Sequence, residues 1–157
     1  MSRFTALLLA SATVLVIAAD EKKDDPGAPK LTEAESALVE KTNAARQKAD
    51  RNPLKPNAKL MDAARKHAAD MAAQDKLEHV LDEKTPADRV AAAGYKPQLV
   101  GENIAWNAKD AAGVVAEWMD SPTHRDNILR AEYTEIGVAV AKNKRGEPYW
   151  VQVFGKP

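Results

Sequence analysis

The spacing of apolar residues changes along this chain, and the change constrains the fold class. In the first half, apolar residues recur every three or four positions, as they do on one face of a helix. Near the end they alternate instead, as in Ile136, Val138 and Val140. Helices followed mainly by antiparallel strands predict an α+β domain built in layers.

Local signals indicate where the helices begin. Thr32-Glu33-Ala34-Glu35 forms a capping box, Asn57 caps a second helix, and Ser121-Pro122 places a capping hydroxyl before a proline. The predicted helices cover residues 32–49, 57–76, 85–94 and 110–120 with a short helical turn from 122, and the predicted strands cover 100–106, 134–141 and 149–154.

The first 30 residues are predicted to lie outside the folded domain. Arg3 precedes an apolar run from Phe4 to Ala19, which is typical of an export signal that is removed at about residue 19. A transmembrane anchor is the alternative, but the run is shorter than the ~20 residues that a span needs. The charged, proline-containing residues 20–30 predict a flexible linker, and residues 31–157 are predicted to form one domain.

Charge and cysteine content exclude several classes of function. The 23 basic residues balance the 23 acidic ones, so net charge does not favour binding to nucleic acid. We also expect a monomer with no membrane span after processing. The chain contains no cysteine, which excludes disulfides, thiol nucleophiles and cysteine zinc sites. His, Asp and Glu remain as the good metal ligands.

Three polar residues could form a chemical site if the fold brings them together. His79 follows a predicted helix, Glu102 lies in a predicted strand and His124 lies in a short predicted helix. Two imidazoles, one carboxylate and a water would make a first shell for zinc, and the same groups could transfer protons. Their spacing contains no close ligand pair such as His-x-x-x-His. Structural roles are the alternative: Glu102 would brace its loop, and His79 would end a helix.

Other polar and aromatic residues are better explained by structure. We expect His67 to be a core histidine that is hydrogen-bonded to backbone rather than a ligand. Asn103 and Ser121 are expected to orient loops through backbone hydrogen bonds. The three tryptophans are expected in the core or the wall of a cleft; they are Trp106, Trp118 and Trp150.

An ordered series of motifs resembles a known family. The series is His67-Ala68-Ala69-Asp70-Met71-Ala72, His79, Arg89, Gly94-Tyr95, Gly101-Glu102-Asn103-Ile104-Ala105, Trp118-Met119-Asp120-Ser121-Pro122-Thr123-His124-Arg125, Asn127-Ile128-Leu129, Tyr133-Thr134-Glu135-Ile136-Gly137-Val138 and Tyr149-Trp150-Val151-Gln152-Val153-Phe154. Together these segments resemble a bacterial domain of the CAP superfamily, which includes the cysteine-rich secretory, antigen 5 and pathogenesis-related 1 proteins. The resemblance covers residues 31–157.

The resemblance implies a three-layer α-β-α sandwich with a small antiparallel sheet and a surface cleft. Family members often gather two His and two acidic residues there to hold a divalent cation, here Zn or Ca. His79 and Glu102 match the first His and the first Glu. Ser121 stands where eukaryotic members have the second Glu, Glu132 stands where they have the second His, and His124 is the best substitute for that imidazole.

The resemblance and the export signal favour a secreted or envelope-associated binding domain. Its cleft, lined by His79, Glu102 and His124, would take a divalent metal, a small apolar ligand or a peptide. The alternative is a metal-assisted hydrolase of envelope or extracellular substrates, with Glu102 or a histidine as base and Ser121 as a weaker nucleophile candidate. A purely structural envelope protein ranks third.

Overall fold

A computed structural model describes residues 29–157 of the chain. The predicted export signal and residues 20–28 of the predicted linker lie outside the described residues. The elements in chain order are α1 Glu33–Lys48, β1 Lys55–Pro56, α2 Ala58–Gln74, α3 Pro86–Ala92, β2 Leu99–Trp106, α4 Ala111–Asp120, α5 Pro122–Leu129, β3 Glu135–Lys142 and β4 Pro148–Lys156.

Most helix boundaries agree with the local signals. Thr32 and Glu35 form the reciprocal capping box at the start of α1, and Asn57 accepts hydrogen bonds from the first turn of α2. Thr85 makes a second capping box with Asp88 ahead of α3. These ends were predictable because each depends on residues only a few positions apart.

The sheet has four strands in the order β1-β3-β4-β2. β3 pairs with β4 and β4 with β2 in antiparallel fashion, as predicted, but β1 runs parallel to β3. The sheet is therefore mixed rather than purely antiparallel. The two-residue strand β1 follows Asn52-Pro53 and contains Pro56, a pattern that predicted only a break between helices.

Helical layers cover both faces of the sheet and confirm the predicted α+β sandwich. Alternate residues of β4 point to opposite layers: Trp150 and Phe154 pack in the core beneath α1, α4 and α5, whereas Val151 and Val153 pack in the core beneath α2 and α3. The α2 backbone lies so close to β3 that a Cβ atom at Gly137 would fall 2.1 Å from the carbonyl of Leu60.

Strand β2 lies at one edge of the sheet, and side chains from the α4/α5 layer close part of that edge. Asn127 Nδ2 donates to the Glu102 carbonyl at 3.2 Å, and Trp118 Nε1 donates to the Ile104 carbonyl at 3.2 Å. These bonds satisfy edge groups that would otherwise be open to another strand. The two helical layers therefore meet along the strand that carries Glu102.

Two expectations about single residues differ from the structure. Trp118 and Trp150 are buried, but Trp106, the last residue of the edge strand, is 45% exposed. Ser121 precedes α5 but makes no side-chain capping bond to it. Its hydroxyl lies next to the ring of His124 instead.

Across residues 29–157, no helix has both the length and the apolar character needed to cross a bilayer.

Candidate functional site

A buried carboxylate lies at the centre of the site. Glu102 projects from β2 towards the layer that holds α2 and α3, and its side chain is almost fully buried. Arg89 of α3 donates from Nη2 to Glu102 Oε2 at 2.7 Å and to Oε1 at 3.0 Å. A buried carboxylate needs such a partner, because removing it from water without compensation is costly.

Arg89 also fixes the loop between α2 and α3. Its Nη2 donates to the His79 carbonyl at 2.9 Å, and its Nη1 donates to the Lys84 carbonyl at 2.7 Å. One guanidinium thus joins the loop to Glu102 on β2, using the several donors that arginine offers in a rigid plane. The expected role of Glu102 in bracing its surroundings is consistent with this geometry.

His79 bridges the buried carboxylate and the solvent. Its Nδ1 lies 2.9 Å from Glu102 Oε1, and half of its side-chain surface is exposed. A carboxylate paired with Arg89 accepts hydrogen bonds, so the proton belongs on Nδ1 and the lone pair on Nε2. The contact with Glu102 therefore orients the imidazole, and its Nε2 atom takes part in no described hydrogen bond.

A second histidine lies beneath Glu102. His67 of α2 is 1% exposed, and its Nε2 lies 3.7 Å from Glu102 Oε1. No hydrogen bond of standard geometry reaches either ring nitrogen of His67, although the backbone of Glu78 lies close enough to act on its pKa, in line with the expected backbone partner. Burial lowers the pKa of His67 and outweighs the attraction of Glu102, which acts in the opposite direction. The imidazole is therefore neutral near pH 7.

His124 approaches from α5, in the other helical layer. Its Nδ1 lies 2.9 Å from the hydroxyl oxygen of Ser121, and Asn103 Nδ2 donates to its backbone carbonyl at 3.1 Å. Burial lowers the pKa of His124, and the nearby His79 lowers it further. His79 contacts Glu102 and the His124 carbonyl accepts from Asn103, so consecutive residues of β2 hold the two histidines.

A chain of buried amides holds the α5 side of the site. Asn103 Nδ2 donates to Gln152 Oε1 at 3.1 Å, and Gln152 Nε2 in turn donates to Thr42 in α1. Asn127 Nδ2 donates to Asn103 Oδ1 at 2.9 Å. Asn103 therefore orients its neighbours through hydrogen bonds, as expected, but mostly through side chains rather than backbone.

The structure brings only two of the three predicted metal ligands into direct contact. His79 and Glu102 are in direct contact, whereas both Glu102 oxygens already accept from Arg89. Within the described part of the chain, no group of three or more His, Asp or Glu side chains is arranged to hold a metal ion. Glu132, the other position that departs from the family pattern, is exposed and pairs with Arg130 at 3.5 Å. Of the predicted ligands, His79 and His124 use their Nδ1 atoms in hydrogen bonds, whereas their Nε2 atoms take part in no described hydrogen bond.

The site lies outside the depression that has the largest described volume. That depression, about 840 Å³, is lined by residues that include Lys55, Tyr95 and Glu135. None of His79, Glu102 and His124 lines it. The His79 side chain is half exposed, and two residues close to it in sequence, Leu77 and Val80, are exposed apolar residues.

Sequence reasoning gave no role to two residues of the site. Arg89 appeared in the motif series without a function, and His67 was assigned to the core alone. The only available signals were a single Arg in the predicted third helix and a single His on the buried stripe of the second. Neither signal identifies Glu102 as the partner, because those contacts span 13 and 35 positions of the chain.

Comparison with known proteins identifies related sequences. The model of the CAP family, described as the cysteine-rich secretory protein family, matches residues 39–154. The uncharacterized protein YkwD of Bacillus subtilis is 34% identical over 140 residues, which cover 88% of this chain and 54% of YkwD. The uncharacterized membrane protein YlbC of the same organism is 30% identical over 126 residues, which cover 80% of this chain and 35% of YlbC. The chain thus spans about half of the first relative and about a third of the second.

Solved structures share the fold. An outer surface protein from Borrelia burgdorferi superposes with a TM-score of 0.75 at 23% identity, covering 82% of this chain and 96% of that protein. An extracellular protein with an SCP domain from Bacillus anthracis superposes with a TM-score of 0.73 at 25% identity, covering 83% of this chain and 45% of that protein. NaASP2, solved with Zn²⁺, superposes with a TM-score of 0.59 at 15% identity, covering 83% of this chain and 82% of NaASP2.

Proposed function

The chain belongs to the CAP family of cysteine-rich secretory proteins, and we propose that it is an exported domain that binds its ligand at His79. The observation that carries this proposal is the 2.9 Å contact between His79 Nδ1 and the buried Glu102 carboxylate, with the other face of the imidazole open to solvent. A carboxylate that orients an exposed imidazole prepares its free nitrogen to bind.

A purely structural role explains the buried pair of Arg89 and Glu102, but it does not explain the exposed imidazole of His79. Arg89 alone would hold Glu102 and the loop, since it contacts both. The imidazole of His79 adds a third polar group to that cluster while half of its surface stays in water. Fixing an exposed side chain has an entropic cost, which binding a ligand would offset.

One ligand class that suits these residues is a zinc-type cation. Two imidazole nitrogens, His79 Nε2 and His124 Nε2, would be its protein ligands, and waters would complete the shell. Glu102 does not fit as a direct ligand, because its side chain is almost fully buried and both oxygens accept hydrogen bonds from Arg89; it would act by orienting His79. Imidazole donors favour zinc over calcium, which prefers oxygen. The Zn²⁺ in the NaASP2 structure is consistent with such a site.

The second ligand class is a peptide or a small apolar molecule. Leu77 and Val80, which are close to His79 in sequence, are 45% and 52% exposed, respectively. Exposed apolar side chains beside a fixed polar group form a common arrangement for recognition. A ligand that contacted both would bury these apolar side chains and accept or donate a hydrogen bond at His79.

Export is part of the proposal. Residues 1–19 would direct the chain out of the cytoplasm and be removed, residues 20–30 would be a linker, and residues 31–157 would act in the cell envelope or outside the cell as a monomer. The extracellular SCP-domain protein of Bacillus anthracis supports this location. The balanced charge gives no basis for nucleic acid as a partner.

A metal-assisted hydrolase with Glu102 as base has less support. A general base must be reached by the water that it deprotonates, whereas the Glu102 side chain is 2% exposed and both of its oxygens already accept hydrogen bonds from Arg89. The binding function is therefore the better proposal for this part of the site.

The binding proposal can be tested by titration of the tag-free protein. After EDTA treatment and dialysis, zinc chloride is titrated calorimetrically into the wild type and into His79→Ala, His124→Ala and Glu132→Ala, and a random peptide library is screened in parallel. We expect saturable binding that is lost in His79→Ala and retained in the Glu132→Ala control. A wild type that binds neither zinc nor any peptide, or binding that is undiminished in His79→Ala, would overturn the proposal.

A further inference from the structure

Ser121 and His124 form a hydroxyl–imidazole pair, and the proposed binding site uses neither the Ser121 hydroxyl nor His124 Nδ1. Ser121 Oγ lies 2.9 Å from His124 Nδ1. This distance is within the range at which a base can take a proton from a hydroxyl nucleophile. The described residues contain one other serine, Ser36, which lies on the exposed side of α1.

The expected structural role of Ser121 is absent. A serine before a helix that begins with proline is expected to cap that helix, but Ser121 makes no side-chain capping bond to α5. Thr32, Asn57, Thr85 and Asp110 do cap the helices that follow them. The hydroxyl of Ser121 is directed to the His124 ring instead.

The same arrangement leaves backbone donors beside the hydroxyl. Pro122 has no N–H, and Ser121 does not occupy the N–H groups of Thr123 and His124 in the first turn of α5. Donors at this position would lie near the oxygen of a carbonyl that is attacked by Ser121. Backbone N–H groups next to a nucleophile are the usual means of stabilising such an oxyanion.

We propose that Ser121 is a nucleophile activated by His124 and that the chain hydrolyses carboxylic esters through an acyl-Ser121 intermediate. Ser121 Oγ bonds to the ester carbonyl carbon while its proton moves to His124 Nδ1, and the carbonyl electron pair moves to oxygen. When the tetrahedral intermediate collapses, the bond to the leaving alcohol breaks and that alcohol takes the proton from His124. Water then attacks the acyl group by the same route, releasing the carboxylic acid and restoring Ser121.

This activity is independent of the proposed binding at His79 and competes with metal binding at His124. A neutral imidazole has one ring nitrogen with a lone pair. When Ser121 donates to Nδ1, the proton of His124 is on Nε2, which then cannot bind a cation. The esterase test is therefore done in EDTA, so that a failure of metal binding and a failure of Ser121 reactivity are observed separately.

The test is covalent labelling of the intact protein with a fluorophosphonate, followed by intact mass and peptide mapping, with p-nitrophenyl acetate hydrolysis measured in parallel. We expect one equivalent of label on Ser121, none in Ser121→Ala, and full labelling in the control Ser36→Ala. His124→Ala and the closer substitute His124→Gln should each slow labelling by about 10²-fold or more. Circular dichroism confirms that each variant is folded.

Three results would overturn the proposal. They are no label on the folded wild type, label at a residue other than Ser121, and label on Ser121 at an unchanged rate in folded His124→Gln. The last result would mean that Ser121 is only an accessible hydroxyl.

Discussion

Arg89 Nη2 lies 2.7 Å from one oxygen of Glu102 and 3.0 Å from the other, so a single nitrogen bridges both oxygens of a buried carboxylate. Both side chains are at most 5% exposed. The pair connects α3 to the edge strand β2, and the Arg89 contact with the His79 carbonyl extends this connection to the loop. The position of His79 therefore depends on an ion pair in the interior rather than on the loop itself.

Replacing Arg89 with methionine should be strongly destabilising. The variant keeps much of the side-chain volume but leaves the Glu102 charge buried without its partner, which costs about 3–5 kcal/mol in the free energy of unfolding. Urea titration measures the loss. The control is Lys66→Ala, which removes an exposed pair with Asp70 and should cost less than about 1 kcal/mol.

A second variant separates the charge from the packing. In Arg89→Met combined with Glu102→Gln, no buried charge remains, so part of the lost stability should return. If the double variant were less stable than Arg89→Met alone, the ion pair would not be the source of the effect.

His67 should make the fold sensitive to mild acid. Burial lowers the pKa of His67 below its usual 6.5, whereas the unfolded chain takes up a proton near 6.5. Above that pH its neutral form is present in both states and the contribution to stability is complete. As the pH falls below about 6.5, the unfolded state binds more protons, so the free energy of unfolding decreases until the folded pKa is reached.

The variant His67→Gln should flatten this part of the stability profile. The free energy of unfolding is measured by urea titration at pH 7.5, 6.5 and 5.5, and the wild type should lose more stability over this interval than the variant. A slope remains in the variant, because the pKa of His124 is also lowered by burial. Lys66→Ala serves again as the control, since it should leave the slope unchanged. Equal slopes in the wild type and His67→Gln would rule out His67 as the cause.

The sequence was sufficient where structure depends on neighbouring residues. The capping box at Thr32 and the cap at Asn57 involve residues within three positions, and both were predicted correctly. Strand β1 was missed because its two residues carry no periodicity, and its pairing with Glu135 and Ile136 connects segments about 80 positions apart. A short strand of this kind is defined by its partner rather than by its own sequence.

The same limit applies to the site. Family resemblance and the residue types suggested that His79 and Glu102 belong together. That Arg89 would occupy both oxygens of Glu102 could not be predicted, because the contact depends on how α3 packs against β2. This contact and the burial of the side chain are the reasons that Glu102 is proposed to orient His79 rather than to bind a metal directly. Likewise, the spacing of Ser121 and Pro122 predicted a cap, and only the orientation of the His124 ring reveals another partner.

Asn103 should control the stability of the α5 side of the site. Asn103→Ala removes one partner each from Gln152, Asn127 and the His124 carbonyl. Buried polar groups that lose a partner should cost roughly 1–3 kcal/mol. Hydrogen exchange should become faster in α5, and fluorophosphonate labelling of Ser121 should become slower. The control is Gln47→Ala on the exposed face of α1, which should change neither. Unaltered exchange in α5 would show that Asn103 does not hold this helix.

Gly137 should be the glycine least able to accept a side chain where α2 crosses β3. Its backbone conformation is not left-handed, so the restriction is steric: a Cβ atom would lie 2.1 Å from the carbonyl carbon and oxygen of Leu60 and 2.5 Å from the Met61 nitrogen. These are backbone atoms of a buried helix, which cannot move aside by changing rotamer. Gly137→Ala should therefore lower the free energy of unfolding by about 3 kcal/mol or more, at the upper end for overpacking.

Gly113→Ala is the matched control. Its Cβ atom would meet only Asp110 Oδ1, at 3.5 Å, and position 113 lies within α4, where alanine is more stable than glycine by about 0.5–1 kcal/mol. Urea unfolding of the two variants should thus show changes of opposite sign. A stable Gly137→Ala protein would mean that α2 can move away from the sheet, and the contacts of His67 on α2 with Glu102 on β2 would then not be fixed by the packing of these layers.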